Sequence, residues 1–289
     1  MKKIYSIVIT YNGEQWVDKC FKSLINSDVS NHHILAIDNG STDNTLELIR
    51  HNYPTVEIIE TGQNLGFGKA NNLGMRKAID LSADYIFLLN QDAYVKENTI
   101  SQLVFYAEKH SEYSILSPMQ YYNNTTLDFK FKNYFSRGKL NQDGIVDVKF
   151  VNAAIWLFRA SDLKQYGLFH ESFTHYGEDQ ELCQRLILNK RLIGIVNNIK
   201  GFHEREQQDK NPNKTEIIKR TEINILLRLA YVHKKPLIGL LKLSKYLLLN
   251  YGNYDFKRFR FSKKIKVISY CIPLYLRTKN NHIVKRTII

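Results

Sequence analysis

The chain has 289 residues, 44% of them hydrophobic and 12% aromatic, with a net charge of +13. That composition buries a sizeable core, argues against a disordered chain, and suits one large α/β domain with a smaller appendage. The charge is uneven: residues 210–289 hold 19 Lys and Arg against 3 Asp and Glu, a net of +16, which leaves 22 against 25, a net of −3, for residues 1–209.

Residues 4–10 form a short apolar run, too short for the core of a signal peptide, and read as the first buried strand. Residues 33–38, 56–60 and 85–90 repeat that pattern, and amphipathic helical patterns at 16–26, 45–51 and 69–81 separate them. Strands alternating with helices predict βαβ units and a parallel sheet covered on both faces. Residues 121–147 read as irregular, 150–158 as a strand, 179–189 as a helix, and 194–197 as a last strand before His203. Beyond about residue 210 the pattern is helical, clearest at 216–233 and 236–249. Two regions follow: an α/β domain over 1–209 and a basic helical region over 210–289. No stretch reaches the roughly 20 apolar residues of a membrane span; the longest candidate, 237–249, is broken by Lys242 and Lys245. Cys20, Cys183 and Cys271 are widely spaced and form no C-x-x-C pair, which points to buried thiols in a reducing, cytoplasmic compartment.

Polar residues gather where the expected strands end, which in parallel sheets is where ligands bind. They are Tyr11-Asn12-Gly13, Asp38-Asn39-Gly40-Ser41-Thr42-Asp43 and Asn90-Gln91-Asp92. The Gly-rich stretch 62–74 matches neither common phosphate motif: Gln63 stands where a Walker loop needs Gly, Ala70 replaces its hydroxyl, and Asn71 replaces the third Gly of a dinucleotide fingerprint.

Five segments in order, Ser6-Ile-Val-Ile-Thr-Tyr-Asn12, Asp38-Asn-Gly-Ser-Thr-Asp43, Asn64-Leu-Gly-Phe-Gly-Lys-Ala-Asn-Asn-Leu-Gly74, Leu88-Leu-Asn-Gln-Asp92 and Tyr176-Gly-Glu-Asp-Gln-Glu181, span roughly the first 205 residues. Together they resemble the nucleotide-sugar glycosyltransferases of family 2, and the third is similar to the rhamnosyltransferase-like branch. The resemblance implies a GT-A fold, a Rossmann-like, mostly parallel sheet flanked by helices, here with a C-terminal helical extension.

It also implies roles. Asp38 would accept the imide N–H of uracil or thymine, although an Asp there also stabilises an Asn-Gly turn. Thr10, Tyr11, Asn12, Asn64, Gly68, Lys69 and Asn90 would line the donor. Asp92 and His203 would hold a divalent metal, Mg or Mn, against the diphosphate; as alternatives, Asp92 would cap a helix and His203 would be structural. Asp179 would be the general base, with Glu178 and Trp156 on the acceptor; the alternative for the acids is a favourable helix dipole. Asp43 reads as a helix cap or its neighbour. Phe169-His170-Glu171 departs from the family's usual Phe-Asp-Glu, so no role is carried onto position 170.

The implied activity is inverting transfer of a sugar from a nucleotide-diphosphate donor to a glycan or lipid-linked glycan acceptor in cell-surface polysaccharide or O-antigen synthesis. The expected donor is dTDP-rhamnose; a UDP-hexose or UDP-galactofuranose donor is the alternative, and a non-catalytic nucleotide-sugar-binding module is the alternative of another class. Neither Trp16 nor Trp156 sits in the Gln-x-x-Arg-Trp motif of processive synthases, so single addition is expected. The basic region, with leucines and lysines on separate faces of 236–249 and cations interleaved with aromatics at 257–264, suits an anionic membrane surface. Such docking would place a cytoplasmic protein on the inner face of the cytoplasmic membrane; the alternative is a solvated helical subdomain packed on the core, and no nucleic-acid partner is expected.

Overall fold

β-Branched and aromatic side chains in the first ninety residues favour extended backbone and pack on both faces of a pleat. In the computed structural model those runs become β1 (Ile4–Thr10), β2 (His32–Asp38), β3 (Glu57–Glu60) and β4 (Tyr85–Asn90), all mutually parallel. The structure describes residues 1–204, apart from 172, 174 and 175, together with residue 223. The expected helices at 216–233 and 236–249, the cluster at 257–264 and Cys271 lie outside the described residues.

β1 to β4 are joined by α1 (Val17–Ile25), α2 (Thr45–Asn52) and α3 (Phe67–Asp80). Alternate side chains of each strand serve the two faces of the sheet. Ile7, Ile37, Ile86 and Leu88 pack with Met75 and Ala78 of α3, whereas Val8, Ala36 and Phe87 pack with Cys20, Phe21 and Leu24 of α1. α3 approaches β1 closely: a Cβ on Gly74 would lie 2.7 Å from Ile7 Cγ2. Each fully buried aliphatic or aromatic side chain contributes about 1.5–3 kcal/mol.

Ten strands in the described residues form one sheet. β5 (Ala93–Val95), β6 (Tyr113–Tyr121), β7 (Lys139–Leu140), β8 (Ile145–Asp147), β9 (Ile155–Arg159) and β10 (Leu192–His203) complete it, in the order β3-β2-β1-β4-β9-β6-β10-β8-β7 with β5 on β10. The parallel half matches the expectation. The other half is mixed, because β9 runs antiparallel to both β4 and β6. Residues 121–147, expected to be irregular, hold α5 (Phe129–Phe135) and the β7–β8 hairpin. α4 (Thr99–Lys109), β5, β6 and α6 (Ala160–Tyr166) have no counterpart among the expected elements. β10 is longer than expected, since a register irregularity between Val196 and Lys200 lets it continue past a polar stretch to His203.

α7 (Glu178–Leu188) begins at Gly177, whose φ of +97° belongs to the left-handed region; a Cβ there would also meet the Phe173 ring at 2.9 Å. Its inner face carries a buried ion pair. Arg185 Nε donates to Glu181 Oε1 at 3.0 Å and Nη2 to Glu181 Oε2 at 2.7 Å, while Nη2 and Nη1 also donate to the carbonyls of Leu168 and Tyr166. The guanidinium therefore pins the segment after α6 to the helix that carries the two candidate acids. Arg185→Leu leaves Glu181 charged and buried, and should lower stability by about 3–5 kcal/mol. Urea titration of single and double variants checks this: Glu181→Leu/Arg185→Leu should recover part of the loss, and a double variant no better than the single one contradicts it.

Candidate active site

Parallel pairing sets Thr10 opposite Asp38 and Ile9 opposite Asn90, so the ends of β1, β2 and β4 emerge on one edge. Strand order reverses about β1, with β2 on one side and β4 on the other, which opens the crevice where such sheets bind ligands.

The Asp38 carboxylate is buried and receives four donors. Thr10 Oγ1 and Ser41 Oγ donate to Oδ1 at 3.0 and 2.5 Å, and the backbone N–H groups of Gly40 and Ser41 donate to Oδ2 at 3.1 and 3.0 Å. Asp38 thus closes its own turn, and Thr10 reaches the crevice only through it. Asn12, at φ +44°, accepts from Thr42 N at 2.8 Å and donates its own N–H to Ser41 Oγ at 3.1 Å. The turn is held to the loop before α3 as well: Asn39 Nδ2 donates to Asn64 Oδ1 at 3.1 Å, and Asn64 Oδ1 also accepts from Gly66 N at 2.9 Å. Asp43 accepts from Thr45 N and Oγ1 at 3.1 and 2.6 Å, next to Asn44, the residue before α2. Burial would raise its carboxyl, but these hydrogen bonds prevail and hold it below its ordinary value.

Gln91, the middle residue of Asn90-Gln91-Asp92, was given no role from the sequence. Its amide accepts from Tyr11 N at 2.8 Å and donates to Tyr11 O at 3.1 Å, locking the loop after β1 to the loop after β4. Tyr11 itself is 43% exposed beside this lock. Asp92 caps no helix; it precedes β5, and its carbonyl accepts from Glu204 N at 2.9 Å. β5 pairs antiparallel with the end of β10, Ala93 opposite His203. Asp92 Oδ1 consequently stands 3.4 Å from His203 Nε2. Two ligands about 2.1 Å from one cation stand roughly 3 Å apart, so this pair can share a divalent ion, with water and donor oxygens filling its other positions. No group of three metal-ligating side chains occurs among the described residues.

On the far side, Glu178 and Asp179 open α7. The Asp179 carboxylate accepts from Gln180 N at 2.8 Å and lies beside the backbone of Ala153. Ala154, the next residue, accepts from Asn90 N at 2.9 Å. Residues 153 and 154 therefore touch the candidate base and the candidate metal loop at once. Glu178 lies against α3, where a Cβ on Gly68 would be 3.5 Å from its Cβ. Lys69, the next residue of α3, is exposed. Asn72 holds the backbone of Phe169 in both directions, at 2.9 and 3.0 Å, which fixes the wall beside Glu178.

Burial, then the neighbouring Asp179 charge, pushes the Glu178 carboxyl well above its ordinary range; burial also raises Asp179, against backbone hydrogen bonds that lower it. Burial drives the Cys20 and Cys183 thiols up, so both are inert core residues.

One expectation does not match the geometry. Trp156 is 0% exposed and packs on Phe158 and Phe169, opposite Leu88 in the sheet, so an acceptor cannot touch it in this conformation. Its inward position follows from the strand's period of two. His170, onto which no role is carried, is fully buried and edge-on to Phe173.

The model of glycosyl transferase family 2 matches residues 6–174. The chain belongs to that family. An uncharacterized glycosyltransferase of Haemophilus influenzae is 36% identical over 107 residues, 36% of this chain and 32% of that protein. The dTDP-rhamnosyl transferase RfbF of Shigella flexneri is 25% identical over 214 residues, 69% of this chain and 68% of its own length. The first curated relatives are matched over about a third to a half of their length. Among solved structures, S. aureus TarS 1–349 in complex with UDP superposes with a TM-score of 0.62 at 16% identity, covering 96% of this chain and 73% of that one. The mannosyltransferase PcManGT of Pyrobaculum calidifontis, in complex with GDP-Man and Mn2+, superposes with a TM-score of 0.60 at 14% identity, covering 96% and 87%. The fold is GT-A.

The burial of Glu178 has a consequence for stability. A carboxyl whose folded value is raised stabilises the fold while protonated, and that contribution is lost as pH rises through the folded value. Glu178→Gln keeps the neutral shape, so the variant should match the parent near pH 4 and unfold at a higher temperature than the parent at pH 9. Thermal unfolding of both proteins across that range measures it; a variant less stable than the parent at pH 9 contradicts the reading.

Proposed function

We propose that this chain is an inverting glycosyltransferase that moves a sugar from a nucleotide diphosphate to a glycan acceptor. The observation that carries the reading is the meeting, at one sheet edge, of the Asp92–His203 pair with Asp179, bridged by residues 153 and 154. The nucleotide would lie along the ends of β1 and β2, its base beside Asp38 and Tyr11, with Asn12, Asn64, Gly68, Lys69 and Asn90 around it. A base imide N–H would reach Asp38 by displacing the Ser41 hydroxyl, the one rotatable donor from within the turn.

Asp92 and His203 would hold a divalent cation, which when bound neutralises the charge growing on the diphosphate. The acceptor hydroxyl attacks the anomeric carbon from the face opposite the diphosphate. Its proton passes to Asp179, the glycosidic bond forms, and the bond from the anomeric carbon to the diphosphate oxygen breaks. One displacement inverts the centre. A raised carboxyl is a better base at neutral pH than an ordinary one, and Glu178, kept neutral beside it, can donate a hydrogen bond to the acceptor. The acid limb of kcat should therefore lie above the usual carboxylate range of about 4, with rate rising as Asp179 loses its proton.

dTDP-rhamnose is the proposed donor, supported by the 64–74 segment and the similarity to RfbF; a UDP-sugar is the alternative, supported by the fold shared with TarS, solved with UDP. Calorimetry and transfer assays with both donors and Mn2+ test the scheme. Asp92→Ala should lose the metal-dependent part of nucleotide affinity. Asp179→Asn should keep nucleotide binding and lose transfer by about 10²-fold or more; near-parental transfer would remove Asp179 from the base role, and binding without transfer in the parent would favour the non-catalytic module.

The contrast between a net of −3 over residues 1–209 and +16 over 210–289 further suggests docking on anionic membrane, where lipid-linked acceptors lie. No helix among the described residues is long and apolar enough to cross a membrane. Co-sedimentation should require anionic lipid and weaken with salt, and replacing Lys257, Arg258, Arg260, Lys263 and Lys264 by Gln should release the protein. Equal recovery on neutral vesicles contradicts this.

A further inference from the structure

His203 is 3% exposed and lies between two carboxylates, one facing each ring nitrogen. Asp92 Oδ1 stands 3.4 Å from Nε2, and Asp128 Oδ2 stands 3.7 Å from Nδ1. Asp128 is 1% exposed, and the Nδ1 atom is buried with no hydrogen-bond partner. A separation of 3.7 Å exceeds a hydrogen bond, and a shift of about 1 Å closes it.

Asp128 is placed there by its local sequence. Asn123 Oδ1 accepts from Thr125 N and Thr126 N at 3.0 and 2.8 Å, making a tight turn that returns the chain along β6. Leu127 then bridges Tyr121, and Asp128 N donates to Gln120 O at 3.0 Å. The two carboxylate oxygens divide their tasks. Oδ1 caps α5 by accepting from Phe131 N at 2.8 Å, and Oδ2 is the oxygen that faces His203.

A neutral imidazole has one N–H and one lone pair, and only the lone pair can bind a cation. We propose that Asp128 is a positioning residue that holds the Nδ1–H tautomer of His203, so that the Nε2 lone pair is presented beside Asp92. Carboxylate–histidine pairs of this kind set the tautomer and ring orientation of metal ligands, and their loss costs roughly 10–100-fold in metal affinity. The inference rests on the proposed metal role of Asp92 and His203, and it extends the site into the 121–147 segment. The same residue that starts α5 thereby aims the ligand of β10.

Asp128→Asn separates the two tasks. The Asn carbonyl can still accept from Phe131 N, but its amide N–H₂ then faces Nδ1 and favours the opposite tautomer, with N–H on Nε2. In ¹⁵N-histidine-labelled full chain without metal, at a pH where His203 is neutral, the parent should show a protonated Nδ1 and an unprotonated Nε2 for His203, assigned by its absence in His203→Gln. Asp128→Asn should reverse that pattern, weaken Mn2+ binding roughly 10–100-fold, and leave the unfolding temperature of the metal-free protein close to the parent's. An N–H on Nε2 in the parent overturns the proposal with no variant needed. Loss of stability in Asp128→Asn without a tautomer change overturns it in favour of capping alone. Parental Mn2+ affinity in Asp128→Asn but not in His203→Gln overturns it while leaving the metal reading standing; parental affinity in both removes the metal reading and this inference together.

Discussion

The register of three parallel strands is the constraint on which the site depends. With Thr10 opposite Asp38 and Ile9 opposite Asn90, the last residues of β1, β2 and β4 reach the same edge together. A slip of one residue would turn Ile7, Ile37 and Leu88 from one buried face to the other and misplace every polar end residue. The register is therefore enforced by the two apolar clusters, with α1 on one face and α3 on the other. Site geometry is in this sense a by-product of core packing. What the loops add is a second level of locking, in which Gln91 ties the loop after β1 to the loop after β4, and Asn39 with Asn64 ties the Asp38 turn to the start of α3.

Charge is treated differently on the two sides of the crevice. At the ends of β1 and β2 the carboxylates are taken up by hydrogen bonds from turns: Asp38 and Asp43 are each satisfied by nearby hydroxyl and backbone N–H groups. Across from them two acids are placed side by side at the start of α7, where burial makes charge costly and raises both. Backbone N–H groups at the helix start offset part of that cost at both acids, and more of them do so at Asp179. The arrangement separates two chemically identical groups into one that gives up its proton more readily and one that keeps it. The Glu181–Arg185 pair, one turn further on, stabilises the helix without altering that difference in kind.

The mixed half of the sheet brings distant segments to the same edge. Just before β9, Ala154 meets the loop of the candidate metal ligand and Ala153 lies beside the candidate base. The irregularity in β10 carries its last residues alongside β5, and this alone puts His203 beside Asp92. Asp128 then joins from the turn that follows β6.

Elements whose burial repeats with a short period were legible in the sequence, because each period depends only on neighbours along the chain. β1, β4, α1 and α7 are of this kind; Asn90 to Asp92 could be placed at a sheet edge, and Glu178 and Asp179 at the start of a helix. β6 was not legible: its buried Ser114 is satisfied by Asp162 and Arg191, partners remote in sequence. β5 has too few residues to show a period, and Asn197, Asn198 and Lys200 mask the far end of β10. Trp156 shows the same limit within a residue, since the chain reveals an aromatic in a strand but not which face of the sheet it fills. By itself the sequence determined the parallel half-sheet, the family and the chemical types gathered at its edge. Only the tertiary structure decided which of them meet, because antiparallel pairing of β5 with β10 and the seating of Asp179 on Ala153 are contacts between segments that carry no local signal of each other.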